Sequence, residues 1–148
     1  MPDSTTSIKL VKVSPKEMAD FQQILTENDL PTDDLSQPHL WFFSYQDGIR
    51  IGTLGLEQYG SIGLLRSLSI LPALHGQGLG HKVVAKLRAE ILTFGLAELY
   101  LLTTTAEGFF QRAGFHTIER SAVPEPIKKT QQFSSICPST AVVMQLLA

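Results

Sequence analysis

Apolar and polar side chains alternate over residues 8–13, as along a strand with one buried face, and Ser14 with Pro15 then supplies a helix cap and a first helical residue. Met18, Phe21, Ile24 and Leu25 recur at helical spacing, and the helix they predict ends before Pro31, near Asn28 and Asp29. Its apolar face needs a sheet to cover. Residues 40–46 are aromatic and apolar, Asp47-Gly48 is a two-residue hairpin signal, and residues 49–57 read as the returning strand. A second turn at 59–61 leads into residues 63–71, so three consecutive antiparallel strands are predicted, the third closed by Pro72. From Gly78 onward Leu79, Val83, Val84, Leu87, Ile91 and Phe94 recur at helical spacing until Gly95 supplies a left-handed stop. The leucine-rich segment 96–103 begins soon afterwards, which makes a crossover into a parallel neighbour the natural geometry. Residues 106–113 form a short helix ended by Gly114, 115–119 a short strand, 121–135 a proline-punctuated connection, and 140–147 a final β-rich run. The pattern is α/β with a mixed sheet. No repeat or linker divides residues 1–148, which read as one domain.

Composition narrows the partners. A formal charge of -2 gives no electrostatic reason to expect nucleic acid or an anionic membrane, and a small molecule fits better. Cys137 is the one cysteine, so an internal disulfide and a thiolate-rich metal centre are excluded by count. His39, His75, His81 and His116 are scattered without metal-ligand spacing, so no metal is expected. The first residues lack a basic segment followed by a long apolar run, and no stretch is apolar for long enough to span a bilayer. The expectation is a soluble, cytoplasmic protein. Its β-rich C-terminus, if it formed a sheet edge, could pair with a second copy as a homodimer.

The segment HGQGLG, His75 to Gly80, stands between a strand and the longest helix. Backbone N–H groups at such a helix start are unpaired and lie at the positive end of the helix dipole, a place suited to phosphate. Gly76, Gly78 and Gly80 let the backbone approach a ligand closely, and His75 and His81 can add donors. A P-loop needs a longer glycine spacing ending in Lys-Ser or Lys-Thr, and a dinucleotide fingerprint needs glycine where His81 stands, so neither pattern is met.

At this point the sequence resembles the GNAT superfamily of N-acetyltransferases, whose signature is Arg or Gln, two residues, Gly, one residue, then Gly or Ala. HGQGLG matches from Gly78 onward and departs at His75. The predicted element order is that superfamily's order over nearly the whole chain, and AEGFFQRAGF is similar to its second acetyl-CoA segment. Within it, LLRSLSILP, LYLLTTTAEGFFQRAGF and QFSSICPSTAVVM resemble the branch associated with arsenic-resistance gene clusters.

The resemblance implies a GNAT-like fold with a central sheet of six to seven strands, acetyl-CoA as acetyl donor, and transfer to the amine of a small, amino-acid-like or arsenic-related molecule. It also implies that the strand carrying Leu68, Ser69 and Ile70 splays from its parallel neighbour to admit the pantetheine arm. The pyrophosphate would then lie on the turn formed by His75, Gly76, Gln77, Gly78, Leu79, Gly80 and His81. Thr104 ends the next strand beside that path, and Phe109 and Phe110 form core or coenzyme wall. A backbone N–H near Leu68 or Ser69 would polarise the thioester carbonyl during direct attack by the amine. Glu57 is the first candidate to take the amine's proton, with Asp34 and His39 as alternatives.

Arg66 interrupts an otherwise apolar strand and should have an anionic partner, either Glu57 in a structural ion pair or the carboxylate of a substrate. Asp34 and Arg120 complete the candidate acceptor-binding residues. Ser67 and Ser69 face away from Arg66 if the strand alternates regularly. Many relatives protonate the departing thiolate with a tyrosine where this chain has Phe110, which leaves water or Tyr100 for that role and motivates an alternative, a non-catalytic acyl-CoA sensor.

Overall fold

The computed structural model describes residues 8–30, 39–130, 133 and 141–148. Seven strands form one mixed sheet: β1 (Ile8–Lys12), β2 (Leu40–Gln46), β3 (Ile49–Tyr59), β4 (Ile62–Ile70), β5 (Glu98–Thr103), β6 (His116–Ile118) and β7 (Val142–Leu147). Their spatial order is β1-β2-β3-β4-β5-β7-β6, and β4 with β5 is the parallel pair. Among the described residues four α-helices accompany them: α1 (Met18–Glu27), α2 (Leu79–Glu90), α3 (Glu107–Arg112) and α4 (Glu125–Lys128).

The aromatic run of β2 shows how the sheet is covered. Phe42 joins the core that α2 builds with Leu79, Val83, Val84 and Leu87, while its neighbours Trp41 and Phe43 point the other way onto Phe21, Ile24 and Leu25 of α1. Each such fully buried apolar side chain contributes about 1.5–3 kcal/mol relative to exposure. A third cluster of Leu64, Tyr100, Val123, Ile127 and Val143 packs α4 and the C-terminal strand together.

Two expectations change. The strand foreseen at residues 96–103 begins at Glu98, because Leu96 closes the end of α2 by donating its N–H to the Ile91 carbonyl (3.0 Å) and buries its side chain. The C-terminal strand β7 is also not an edge: it is paired with β5 on one side and β6 on the other, so it offers no free ladder to a second copy. The short loop after β1 is fixed by a carboxylate. The backbone N–H and hydroxyl of Ser14 both donate to Glu17 (3.2 and 3.0 Å), and these bonds hold the Glu17 carboxyl below its ordinary range.

Candidate functional site

β4 and β5 begin side by side and then part. Ile62, Gly63 and Leu64 are in register with Glu98, Leu99 and Tyr100, and beyond Leu64 the pairing stops although both strands continue. A cleft of about 760 Å³ opens between them, walled by residues 65–70 on one side and 101–105 on the other, and closed below by Phe109 and Phe110.

A β-bulge shapes the β4 wall. Thr53 of β3 is opposite Ser69 and Gly55 is opposite Arg66, so Ser67 and Leu68 together face the single residue Leu54 and stand outside the regular ladder. Ser67 takes φ 55° to make the bend. Thr53 secures it, its hydroxyl lying 2.7 Å from the Ser67 carbonyl, to which it donates, and 2.6 Å from the Ser69 hydroxyl. The bulge corrects the expectation from regular alternation: Ser69 is on the same side of the sheet as Arg66, and the Ser67 hydroxyl accepts a hydrogen bond from Arg66 Nε (3.1 Å). Gly52 lets β3 approach this bend, since a Cβ there would lie 1.9 Å from the Ser69 carbonyl oxygen.

The glycine turn stands at the head of the cleft. His75 places Nε2 2.7 Å from the Ile70 carbonyl, at the end of β4. Gly76 and Gly78 have φ 84° and 73°, and Gly78 caps the start of α2. A Cβ at either would meet nothing within 4 Å, so backbone conformation rather than packing requires glycine there. Gly80 is different: a Cβ would come within 3.2 Å of the Phe109 ring, which also stacks against His81 at 4.3 Å. Leu68, Ile70, Leu79 and Thr104 also line the cleft, whereas Gln77 does not.

Phe110 lines the cleft with its ring packed edge-on against Phe109 and Phe115, so an apolar surface stands where the resemblance expects an acid. Tyr100 cannot substitute. Its hydroxyl donates to Glu98 (2.6 Å) and accepts from Gln145 (2.8 Å) at the paired end of the two strands, away from the cleft. Burial, followed by the bond to Glu98, pushes that hydroxyl above the ordinary tyrosine range.

Arg66 lines the cleft, and its buried guanidinium donates to Glu57 (3.2 Å) while lying over the Trp41 ring. Glu57 is buried behind it, its other oxygen accepting from the Tyr59 hydroxyl (2.5 Å) and standing 3.7 Å from His39 Nε2. Glu57 itself does not line the cleft. Nor does Arg120, whose guanidinium donates to the carbonyls of Ala141 and Phe133 and so ties the C-terminal segment together. Asp34 and Cys137 lie outside the described residues. The sequence reading missed one wall altogether: Asn28, Asp29 and Leu30, at the end of α1, also line the cleft. The signal in the sequence is the helix stop at Asn28 and Asp29, which by itself does not say that α1 ends against β4.

Among the described residues no group of three or more His, Cys, Asp or Glu side chains is arranged to hold a metal, and no helix is long and apolar enough to cross a membrane.

Known proteins share this architecture. N-acetylglutamate synthase from Neisseria gonorrhoeae, solved with coenzyme A and N-acetyl-glutamate, superposes with a TM-score of 0.75 at 16% identity, over 95% of this chain and 35% of that one. Rv2747 from Mycobacterium tuberculosis, solved in complex with CoA, gives 0.72 at 18% identity, over 95% and 99%. In sequence, an amino-acid acetyltransferase of Mycobacterium tuberculosis is 29% identical over 120 residues, 79% of this chain and 66% of that protein. An uncharacterized N-acetyltransferase of Chlorobaculum tepidum is 35% identical over 63 residues, 43% of this chain and 40% of that protein. The matched segments therefore span less than two thirds of these two sequence relatives. The family model for the acetyltransferase (GNAT) domain matches residues 37–117, which includes the bulged strand, the glycine turn and Phe110. With more than half of its length matched and the fold in agreement, the chain belongs to the GNAT acetyltransferase family.

Proposed function

We propose that the protein transfers the acetyl group of acetyl-CoA to the amine of a small, amino-acid-like molecule. The observation that carries this reading is the parting of β4 and β5 after Leu64, which opens a cleft directly below the unpaired N–H groups of the Gly76–Gly80 turn. The pantetheine arm would occupy the place of the missing ladder and pair its amides with strand groups that otherwise lack partners, each worth roughly 1–3 kcal/mol when left unsatisfied. The pyrophosphate would rest at the start of α2, where Gly76 and Gly78 present no Cβ to obstruct it.

In this reading the bulge at Ser67 and Leu68 turns a backbone N–H out of the ladder toward the thioester carbonyl, at Leu68 or Ser69. The amine nitrogen attacks the carbonyl carbon, the C–N bond forms and the C–S bond breaks. The amine's proton passes to solvent and the thiolate takes one from water, a thiol having a pKa of roughly 8.5. We assign Glu57 to hold Arg66 at the cleft wall, since both its oxygens are already engaged, and Arg66 to attract the carboxylate of the acceptor. The names of the relatives, amino-acid acetyltransferase and N-acetylglutamate synthase, favour an amino acid over an arsenic-related acceptor. The single cysteine fits a reducing, cytoplasmic setting.

Phe110 favours one second reading, a sensor that binds acyl-CoA without transfer. A thermal-shift titration with acetyl-CoA and free CoA, followed by thiol release across a panel of amino acids and arsenicals bearing amines, separates the two. Ligand at 100 times Kd should stabilise the fold by roughly 2.7 kcal/mol in either case. Thiol release with any acceptor identifies the enzyme, stabilisation without release the sensor, and the absence of stabilisation rejects both.

A further inference from the structure

We infer that Asp29 binds the ammonium group of the acceptor, and that the end of α1 is therefore the recognition wall opposite the coenzyme. The inference rests on the transferase reading and adds to it a residue and a charge preference. Three observations carry it.

The first is conformational. Asp29 sits in the left-handed region at φ 57°, one residue past the helix cap Asn28. The bonding around it is that of a Schellman ending: Leu30 N–H donates to the Leu25 carbonyl (2.9 Å) and Asp29 N–H to the Thr26 carbonyl (3.1 Å). Glycine is the residue that fits such a position without strain, and an aspartate held there is a departure from the economical choice. Leu30 anchors the motif by packing on the α1 core, so the backbone at Asp29 is set by its neighbours.

The second is placement. The motif lines the cleft, and among the described residues of that lining Asp29 is the single acidic one. Asn28 adds a further acceptor: its amide nitrogen is committed to the Ile24 carbonyl (2.9 Å), which leaves its side-chain oxygen available.

The third is the contrast in charge partners. Arg66, the lining cation on β4, is matched by buried Glu57. The carboxylate of Asp29 is exposed and has neither a hydrogen bond nor an ion pair among the described residues. A free carboxylate at the wall of a cleft that presents an arginine elsewhere is complementary to a zwitterion, with the ammonium at Asp29 and the carboxylate toward Arg66. Ordinary amino acids arrive with the ammonium protonated near neutral pH, so such a contact would capture the acceptor before its nitrogen is deprotonated for attack.

The test uses the full chain in saturating free CoA, with a panel of L-amino acids as probes and their N-acetyl derivatives, which lack the ammonium, as controls. Half-saturating concentrations are read by thermal shift for the wild type, D29N and D29G. At least one amino acid should stabilise the wild type while its N-acetyl derivative binds at least tenfold more weakly. D29N should raise the half-saturating concentration of that amino acid tenfold or more and leave its N-acetyl derivative within twofold. D29G should show the same loss of binding together with a higher Tm without ligand, because glycine relieves the left-handed strain; a purely structural Asp29 would not separate the two. The proposal is overturned if D29N binds the amino acid as the wild type does, or if no amino acid stabilises the wild type. Stabilisation by CoA alone, read in the same plates, reports on the coenzyme cleft independently and shows that each variant is folded.

Discussion

The two halves of β4 behave as different structures. Over Ile62–Leu64 the strand is an ordinary ladder member, in register with β5, with Gly63 and Leu64 buried. From Leu65 to Ile70 it keeps its pairing to β3 but loses β5, carries a bulge and a left-handed serine, and exchanges an apolar sequence for Arg66, Ser67 and Ser69. The closed half packs Leu64 against Tyr100 of β5, whose hydroxyl bonds Glu98 of its own strand and Gln145 of β7. The open half is held from behind, by Thr53 on the Ser67 carbonyl and Glu57 on Arg66. A sheet can thus be unzipped on one edge if the strand that remains is fastened on the other.

The largest disturbance of that contrast should come from removing one partner of the buried pair. Arg66→Met leaves Glu57 uncompensated and should destabilise by about 3–5 kcal/mol in urea unfolding, with the double variant Glu57→Leu/Arg66→Met recovering much of the loss. A loss under 1 kcal/mol would mean that the pair does not fasten the open half. Next, Gly52→Ala forces the Ser69 carbonyl aside and should cost about 1–3 kcal/mol while weakening acetyl-CoA stabilisation at least tenfold. Unchanged acetyl-CoA affinity in a destabilised protein would detach the bulge from the coenzyme.

Phe110→Tyr sharpens the comparison on the chemical side. Restoring a phenol at the cleft should raise kcat for thiol release about tenfold, roughly 1.4 kcal/mol of barrier, with little effect on coenzyme affinity. No change in kcat would place proton delivery with water. The smallest effect belongs to the closed half: Tyr100→Phe should lower stability by about 1 kcal/mol and leave acetyl-CoA binding intact. It should also alter the alkaline limb. The folded hydroxyl titrates above its unfolded value, so its contribution is complete below the unfolded pKa of about 10 and is lost as pH rises through the folded one. Stability-pH profiles of the two proteins should therefore converge at the highest pH.

Periodicity sufficed for the elements whose signals are local. The α2 stripe, the Asp47-Gly48 hairpin and the glycine turn each carry their geometry in adjacent residues; the hairpin and the turn stand as read, while α2 starts as read but ends at Glu90, with Ile91 to Gly95 forming the turn that follows. The Ser67 bulge is not local in that sense: nothing in LLRSLSI announces that Thr53, fourteen residues earlier, will bend it, so the regular alternation on which Ser69 would face away from Arg66 does not hold. Arg66 could be recognised as needing an acid, and Glu57 was among the partners considered, because an arginine in an apolar strand has few alternatives. Tyr100 was misplaced because the sequence does not say which half of β5 opens. The Asn28–Leu30 wall escaped because a helix end looks the same in sequence whether it faces solvent or a cleft.

The two outer strands have a consequence for solubility. The sheet ends at β1, whose five residues include exposed Lys9 and Lys12, and at β6, which is three residues long. A short edge and a lysine-bearing edge are both poor templates for the strand of another molecule, so the sheet is guarded at each end against growth into fibrils or edge-paired aggregates. Replacing Lys9 and Lys12 by Thr and Val would remove that guard on one side, and aggregation under mild heating should then begin from β1.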